Sequence, residues 1–456
     1  MINSTEVYHM KTVIIGCTHA GTTVASQLLS AHPGEEVVIY EKNDNVSFLS
    51  CGIATYLGGV ATSIDDMFYS SPAALTELGA DVHMEHEVLS VDVKNKTLVV
   101  KDLKTEIETT DTYDKLVVTT GSWPIIPPMD GIDSPNVYLC KNYHHATELF
   151  EQAPKAKKIA IIGAGYIGIE LVEAYNKQGK EVVLIDGNER ILSKYFDHEY
   201  TDRMEQLFTD KGVELALGQR VAGFVDHGSD GVTVKTDAGA YDVDMAVLCI
   251  GFRPNTDLFK GQLDMDDRGA IITNNYMQTS DPDVYGAGDS VQVHYNPTGK
   301  AAYIPLATNA IRQGALVAQN LFGNTAEYMG TQSTSGLELY GQTMVASGLT
   351  LDLAKEAGLD AEAVTFEDNY RPEFMPNNHQ VLGTVVWDKT NRRILGAQFM
   401  SDIDISAYAN VVSVMIQNKN TIDFMAMVDM LFQPNFDRPF NFINLLGQQA
   451  VAKANQ

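Results

Sequence analysis

Lys158–Gly168 reads Lys-Ile-Ala-Ile-Ile-Gly-Ala-Gly-Tyr-Ile-Gly. A short apolar run ends there in a Gly163-x-Gly165-x-x-Gly168 turn, and a helix-like stretch follows to about Gly179. Glu181–Ile185 is a second apolar run, closed by Asp186. The order is strand, glycine turn, helix, strand. The three glycines serve different ends, namely the tight turn, close approach to a pyrophosphate, and close packing of helix on strand. A pyrophosphate then sits at the helix N-terminus, where unpaired N–H groups and the helix dipole favour an anion. Asp186, 18 positions past Gly168, is placed to accept from an adenosine ribose 2′-hydroxyl. That acid favours NADH over NADPH, and Arg190 close by softens the exclusion of the phosphorylated form.

The same grammar stands earlier in the chain. Lys11–Gly16 (KTVIIG) runs into Cys17-Thr18-His19-Ala20-Gly21, a helix-like stretch reaches Ala31, and Glu36–Tyr40 ends at Glu41. Thr18 takes the usual place of the middle glycine, so this turn alone is a degraded fingerprint. Glu41, 20 positions after Gly21, restores it as an ADP-ribose site. Two such units predict two mononucleotide-type folds with parallel sheets. Apolar runs Lys115–Gly121 and Met245–Gly251 extend them, while Val91–Val100 and Gly231–Val243 alternate like antiparallel excursions. Thr279–Asp289 (TSDPDVYGAGD) is a third signal, with Asp289 ending a strand before the helix-like Leu306–Leu321. One dinucleotide for each unit points to FAD at the first and a nicotinamide dinucleotide at the second. Beyond about Gly330 the turns thin out. Strand-like Gln380–Trp387 and Arg393–Gln398 and helical Ile405–Asn418 and Thr421–Phe432 predict a separate α+β unit.

Composition excludes several classes. The 456 residues are 45% hydrophobic and 20% charged, ordinary values for a globular chain of about three domains. Lys and Arg number 32 against 59 Asp and Glu, a net charge of −27. Such a surface repels phosphate backbones and anionic lipid, so neither nucleic acid nor membrane is an expected partner. No apolar stretch approaches the roughly 20 residues of a membrane span. Met1–Lys11 lacks the basic-then-apolar layout of a secretion leader, so a soluble cytoplasmic protein is expected. Cys17, Cys51, Cys140 and Cys249 are too few and scattered for a disulfide framework, and no Cys/His spacing fits a metal.

With these motifs in place, the chain resembles the two-dinucleotide-binding flavoproteins. Within them it resembles the single-cysteine branch of NADH oxidases, NADH peroxidases and CoA-disulfide reductases, above all the water-forming NADH oxidases. The likeness covers nearly all of residues 10–450. It is carried by Thr18–Gly21, Ser47-Phe48-Leu49-Ser50-Cys51-Gly52, the second glycine fingerprint, Gly286–Asp289, Leu306–Ala310 and Phe432-Gln433-Pro434 through Pro439. The resemblance implies an α/β fold with two Rossmann-like dinucleotide-binding domains plus an α+β C-terminal dimerisation domain. Its bounds fall at 10–122 with 254–330 for FAD, 123–253 for NAD and 331–456 for the interface of a homodimer.

Cys51 is the centre of the expected chemistry. Disulfide-reducing cousins carry two cysteines separated by four residues, whereas the fifth position after Cys51 is Tyr56. A lone thiol cycling between thiolate and sulfenic acid fits that pattern, and a following helix N-terminus would lower its pKa. Taken from the residues alone, a small buried core cysteine is the competing reading, and it is the one expected for Cys17, Cys140 and Cys249. His19 is either a turn histidine capping a helix or, as the resemblance implies, a proton donor beside Cys51 as a peroxide bond breaks. The resemblance further implies flavin contacts at Gly16, Thr18, His19, Ala20, Gly21, Glu41, Lys42, Ser50, Cys51, Val88, Thr120, Lys141, Asp289, Leu306, Ala307 and Thr308. It implies NADH contacts at Gly163, Gly165, Tyr166, Ile167, Gly168, Asp186, Tyr195 and Gly251. Tyr166 resembles a tyrosine that covers the flavin until nicotinamide displaces it, with helix packing as the plainer alternative. The aromatic tail Phe432, Phe436, Phe440 and Phe442 is expected in the core and the dimer interface.

The implied reaction is 2 NADH + O2 + 2 H+ giving 2 NAD+ + 2 H2O. NADH peroxidase is the nearest rival, sharing Cys51 and His19. CoA-disulfide reductase is disfavoured because Ser50-Cys51-Gly52-Ile53-Ala54-Thr55 departs from that branch's Asn-Cys-Gly-Leu-Pro-Tyr-like segment. A redox sensor that binds NADH without turnover is the rival from another class.

Overall fold

The computed structural model describes residues 10–456. Residues 1–9, on which the leader reading rests, lie outside the described residues.

The first glycine fingerprint follows the central strand of a five-stranded parallel sheet. Its order is Val284–Gly286, Lys115–Val118, Lys11–Ile15, Glu36–Glu41 and Asp81–Met84. The second follows the central strand of another, ordered Glu214–Leu217, Glu181–Asp186, Lys158–Ile162, Met245–Leu248 and Val137–Leu139. Both central strands are buried on both faces, which is why they read as unbroken apolar runs. Registers match as well: Ile15 pairs with Tyr40 and Ile162 with Ile185. Val284–Gly286 reaches the first sheet only after the chain has built the second, so Gly286–Asp289 returns to the carboxyl end of the opening strands. Ligands in open α/β sheets bind at that edge.

The antiparallel excursions form as expected, at His86–Asp92 with Thr97–Asp102 and at Val232–Thr236 with Ala240–Val243. Beyond Gly330 an antiparallel sheet is ordered Ser335–Leu339, Gln342–Gly348, Ile394–Ser401, Gln380–Asp388, Ala361–Asn369. Helices Ser406–Gln417 and Phe442–Ala454 cover one face. Leu337, Leu339, Met344 and Met400 on the other join a core shared with the second parallel unit.

One expected helix is shorter than its pattern. Thr421–Phe432 forms helix only over Ile422–Met427, and Val428 is already extended. The buried Asn444 amide donates to the carbonyls of Met425 (3.0 Å) and Val428 (2.9 Å), occupying groups at the end of this turn. Among the described residues no helix is long and apolar enough to cross a membrane.

Candidate active site

The two fingerprints repeat one another atom for atom. Gly16 N–H donates to Tyr40 O at 2.9 Å and Gly163 N–H to Ile185 O at 2.8 Å. Glu41 Oε2 accepts from Cys17 N–H (2.6 Å) and its Oε1 from the backbone and side-chain nitrogens of Asn43. Asp186 Oδ2 accepts from Ala164 N–H (2.6 Å) and its Oδ1 from both nitrogens of Asn188. Each carboxylate is thereby fixed at the end of its strand, yet its oxygens retain acceptor capacity for ribose hydroxyls. A Cβ on Gly21 would lie 2.1 Å from Gly16 O, and one on Gly168 1.8 Å from Gly163 O. By contrast a Cβ on Gly165 would meet nothing within 4 Å, so the second turn keeps an open face.

Three helices begin at these turns without a side-chain cap: His19–Ala31 after Thr18, Tyr166–Lys177 after Gly165, and Ala307–Asn320 after Leu306. Five helices elsewhere are capped through Ser71, Asn142, Thr350, Thr421 and Asn441, whereas Ile53–Leu57, His198–Asp210 and Ser406–Gln417 also lack a side-chain cap but follow no glycine fingerprint. Uncapped N–H groups at a helix start suit a phosphate or another electron-rich group. The residues present therefore fit two dinucleotides. Gly16–Gly21, Glu41, Thr120 and Asp289 would hold one, with Leu306, Ala307 and Thr308 at its far end; Gly163–Gly168 and Asp186 would hold the other.

Asp289 lies in a polar knot. Its Oδ2 accepts from Ser122 Oγ (2.6 Å) and from Lys141 Nζ (3.4 Å), while Lys141 also donates to Ser122 Oγ at 2.9 Å. Thr120 Oγ1 is 3.3 Å from Ser290 Oγ, and Tyr303 donates to the Asp289 carbonyl at 3.1 Å. The Gly288 turn wedges between two helices, where its N–H donates to Gln313 Oε1 (2.8 Å).

Cys51 sits in a short turn, Ser50–Gly52, just before helix Ile53–Leu57. Among the four cysteines it is the exposed one; Cys17 and Cys140 are buried and Cys249 half-buried. Burial pushes the Cys17 and Cys140 thiols up to about 12, the inert behaviour expected of core cysteines. The structure corrects the lowered pKa expected for Cys51. Crowding by the surrounding protein raises it, the Glu170 carboxylate adds to that, and Lys141 opposes it. A five-residue helix has too little dipole to prevail.

His19 opens its helix half-buried. Its Nδ1 lies 2.8 Å from Tyr69 Oη, and its Nε2 is buried with no partner. Burial lowers its pKa, which Asp289 resists and Lys141 reinforces. His19 and Cys51 thus respond to the same Lys141–Asp289 pair, which places them in one electrostatic environment.

At the second fingerprint the Tyr166 hydroxyl is 2.9 Å from Ser335 Oγ, and its ring meets Tyr195 edge-on at 4.4 Å. Ile167 joins the same apolar core as these two rings, and Gly251 O accepts from Ile125 N–H at 2.9 Å. Arg190 is drawn away from Asp186: it donates to Thr201 Oγ1 (3.1 Å) and reaches Asp352 (3.4 Å). Two expected contacts sit apart from the rest. Lys42 forms an exposed ion pair with Glu87 at 2.7 Å, and the Val88 side chain is buried in the core of the first unit.

Sequence reasoning missed Tyr69, Ser122, Glu170 and Gln313. Glu170 carried a readable signal, since it stands four residues from Tyr166 and shares its helix face. Burial and the neighbouring Glu173 push its carboxyl up to about 7.

Comparison with known proteins agrees with this geometry. Residues 10–314 match the family model described as pyridine nucleotide-disulphide oxidoreductase, and residues 339–441 match that family's dimerisation domain. An NADH oxidase of Enterococcus faecalis is 53% identical over 443 residues, covering 97% of this chain and 99% of that one. One of Streptococcus pyogenes is 39% identical over 451 residues, covering 95% and 98%. The solved structure of a water-forming NADH oxidase from Lactobacillus brevis, bound to NADH, superposes with a TM-score of 0.97 at 58% identity, covering 98% and 99%. Two dinucleotide cradles, their order along the chain and full-length similarity agree: the chain belongs to the pyridine nucleotide-disulphide oxidoreductase family.

Proposed function

We propose that this protein is an FAD-dependent, cytoplasmic NADH oxidase that reduces O2 to water, with Cys51 as its redox-active thiol. The observation that carries the reading is a lone exposed cysteine sharing one electrostatic environment with a histidine whose buried Nε2 has no protein partner. Residues 10–122 with 254–330 hold FAD, 123–253 hold NADH, and 331–456 form the homodimer interface. Met427 and Phe436, 71% and 65% exposed, with Phe432 and Phe440, supply that interface with apolar surface, while Phe442 anchors the core.

Bound FAD supplies a two-electron relay between NADH and the oxygen side. Asp186 and the open face at Gly165 seat the NADH, and Tyr166 with Tyr195 screens the passage until nicotinamide arrives. One NADH, one proton and O2 yield NAD+ and hydrogen peroxide. The Cys51 thiolate attacks one peroxide oxygen; the O–O bond breaks, the leaving hydroxide takes a proton as water, and Cys51 sulfenic acid remains. His19 meets the departing oxygen through Nε2. The hydride of a second NADH returns the sulfenic acid to thiolate and releases a second water. Lys141 favours the thiolate between turnovers, against Glu170.

Oxygen uptake per NADH oxidised, with peroxide assayed in the same cuvette, tests this. Two NADH per O2 without peroxide is the expected result. One NADH per O2 with peroxide accumulating removes Cys51 from the path. NADH loss only on adding H2O2 makes the protein a peroxidase, and reduction by NADH without turnover makes it a sensor.

A further inference from the structure

Tyr69 is 50 residues from His19 in sequence, yet its hydroxyl lies 2.8 Å from His19 Nδ1 and the two rings are parallel within 3°. The loop that carries Tyr69 is tied to the segment leading into Cys51. Phe48 and Phe68 form an antiparallel bridge, and Leu49 N–H donates to Met67 O at 2.9 Å. Ser47 Oγ accepts from Ser70 N–H (2.9 Å) and donates to Ser70 O (2.8 Å). Ser47 N–H in turn donates to Cys17 O at 3.0 Å, two residues before His19. These bonds close a ring from the first glycine turn, through the approach to Cys51, to Tyr69 and back to His19. Within that ring Nδ1 has a partner, and Nε2 is buried with none.

We propose that Tyr69 is a positioning residue for His19: its phenol donates to Nδ1 and so fixes the proton of the neutral imidazole on Nε2. Two conditions make this assignment work. Burial raises the Tyr69 phenol against a hydrogen bond with the Thr22 side chain, so the phenol meets Nδ1 with its proton on. Burial lowers His19, so the ring is neutral and exists as one of two tautomers, of which a donor at Nδ1 selects one. Nε2–H is then ready for the oxygen that leaves when Cys51 is oxidised, a use that rests on the oxidase reading. Without the phenol the ring exchanges between tautomers and turns about its side-chain bonds, and peroxide escapes before the thiolate captures it.

The test is a long-range proton–nitrogen spectrum of 15N-histidine-labelled holoenzyme, with His19→Gln to assign the signal, repeated on Tyr69→Phe. The wild type is expected to show His19 as the Nε2–H tautomer, and Tyr69→Phe to move both ring nitrogens toward the average of the two forms. In the same variant the fraction of turnovers releasing H2O2 rises about fivefold, the effect of one lost hydrogen bond, with KM for NADH unchanged. That fraction does not depend on how much protein folds, so a mere loss of folded enzyme leaves it unmoved, and the tautomer spectrum separates loss of the Nδ1 donor from a general disturbance of the site. An Nδ1–H tautomer in the wild type, an unchanged spectrum in Tyr69→Phe, or a tautomer shift without added peroxide each overturns the proposal. Should the wild type make no water, the oxidase reading fails while the tautomer result still stands or falls by itself.

Discussion

Gln398→Leu probes the seam where the second parallel unit meets the C-terminal sheet. Gln398 is 1% exposed; its Oε1 accepts from Asp197 N–H and its Nε2 donates to Asp197 Oδ2, both at 2.6 Å. Leucine fills nearly the same volume, so the loss is one of polar partners and not of packing. Asp197 N–H is orphaned, and its carboxylate keeps only the Leu351 N–H at 3.1 Å. With about 1–3 kcal/mol for each buried group left unpaired, the variant costs about 3 kcal/mol. The cost depends on pH. Burial already holds the Asp197 carboxyl above its usual range, and losing the Gln398 donor raises it further. A carboxyl whose folded pKa exceeds its unfolded one binds more protons when folded, so stability falls as pH rises between the two values. The deficit against wild type is therefore largest above the raised pKa and smaller in acid. Thermal unfolding of the holoenzyme at matched protein concentration reads this out. At about 2–4 °C per kcal/mol, the expected loss in Tm is about 6–12 °C at neutral pH. It should shrink as the pH approaches about 4, the ordinary carboxylate range. An equal loss at both pH values, or one under about 2 °C, refutes the reasoning.

Three further outcomes follow from the site. Cys51→Ser is expected to keep NADH oxidation but end at peroxide, so that NADH consumed per O2 falls by about half; unchanged water formation removes the thiol from the mechanism. Glu170→Gln removes a carboxylate that raises the Cys51 pKa. Cys51 alkylation should accelerate chiefly above about pH 7, where the wild-type Glu170 is charged, and identical alkylation profiles would count against the coupling. Gly165→Ala places a methyl where no protein atom lies within 4 Å, at a φ of −82° that any residue adopts. Tm should hold while KM for NADH rises about tenfold, an assumed loss near 1.4 kcal/mol in binding; a large fall in Tm would show the face to be packed.

What was legible in the sequence was local. Gly163–Gly168, Asp186, Gly16–Gly21 and Glu41 fall within single strand–helix–strand units, so spacing alone aligns them. Cys51 stood out through what its neighbours lack, a second cysteine five positions on. Long-range contacts left no such mark: Tyr69 reaches His19, and Ser122 and Lys141 reach Asp289, only after the first sheet has closed around Val284–Gly286. Lys42, a flavin contact implied by the resemblance alone, is paired with Glu87 on the neighbouring hairpin, a long-range partner that spacing does not record. The periodicity of Thr421–Phe432 overran the helix because apolar spacing records burial and contact, and says nothing of the Asn444 amide that takes the Met425 carbonyl in the last turn and the Val428 carbonyl just beyond it. The thiol shift was misjudged for a similar reason: the helix start after Gly52 is local, while the crowding that chiefly raises the thiol, and the Glu170 carboxylate that adds to it from the other unit, arise only on folding.

The two fingerprints differ most where their roles should differ. Glu41 is 3% exposed and Asp186 only half-buried, although both accept from the same set of backbone and asparagine donors. A ribose bound at Glu41 is enclosed with its acid, whose carboxyl burial pushes upward, so the backbone donors of Cys17 and Asn43 are needed to keep it an acceptor. A ribose at Asp186 meets an acid still in contact with water, and can leave without stranding a buried charge. With a dinucleotide at each fingerprint, that difference in burial would favour retention at the first and exchange at the second. The degraded turn at Thr18 fits the same division: an exposed threonine there would cost little beside a ligand seldom released, whereas the open face at Gly165 would suit a dinucleotide that arrives and departs twice in each cycle.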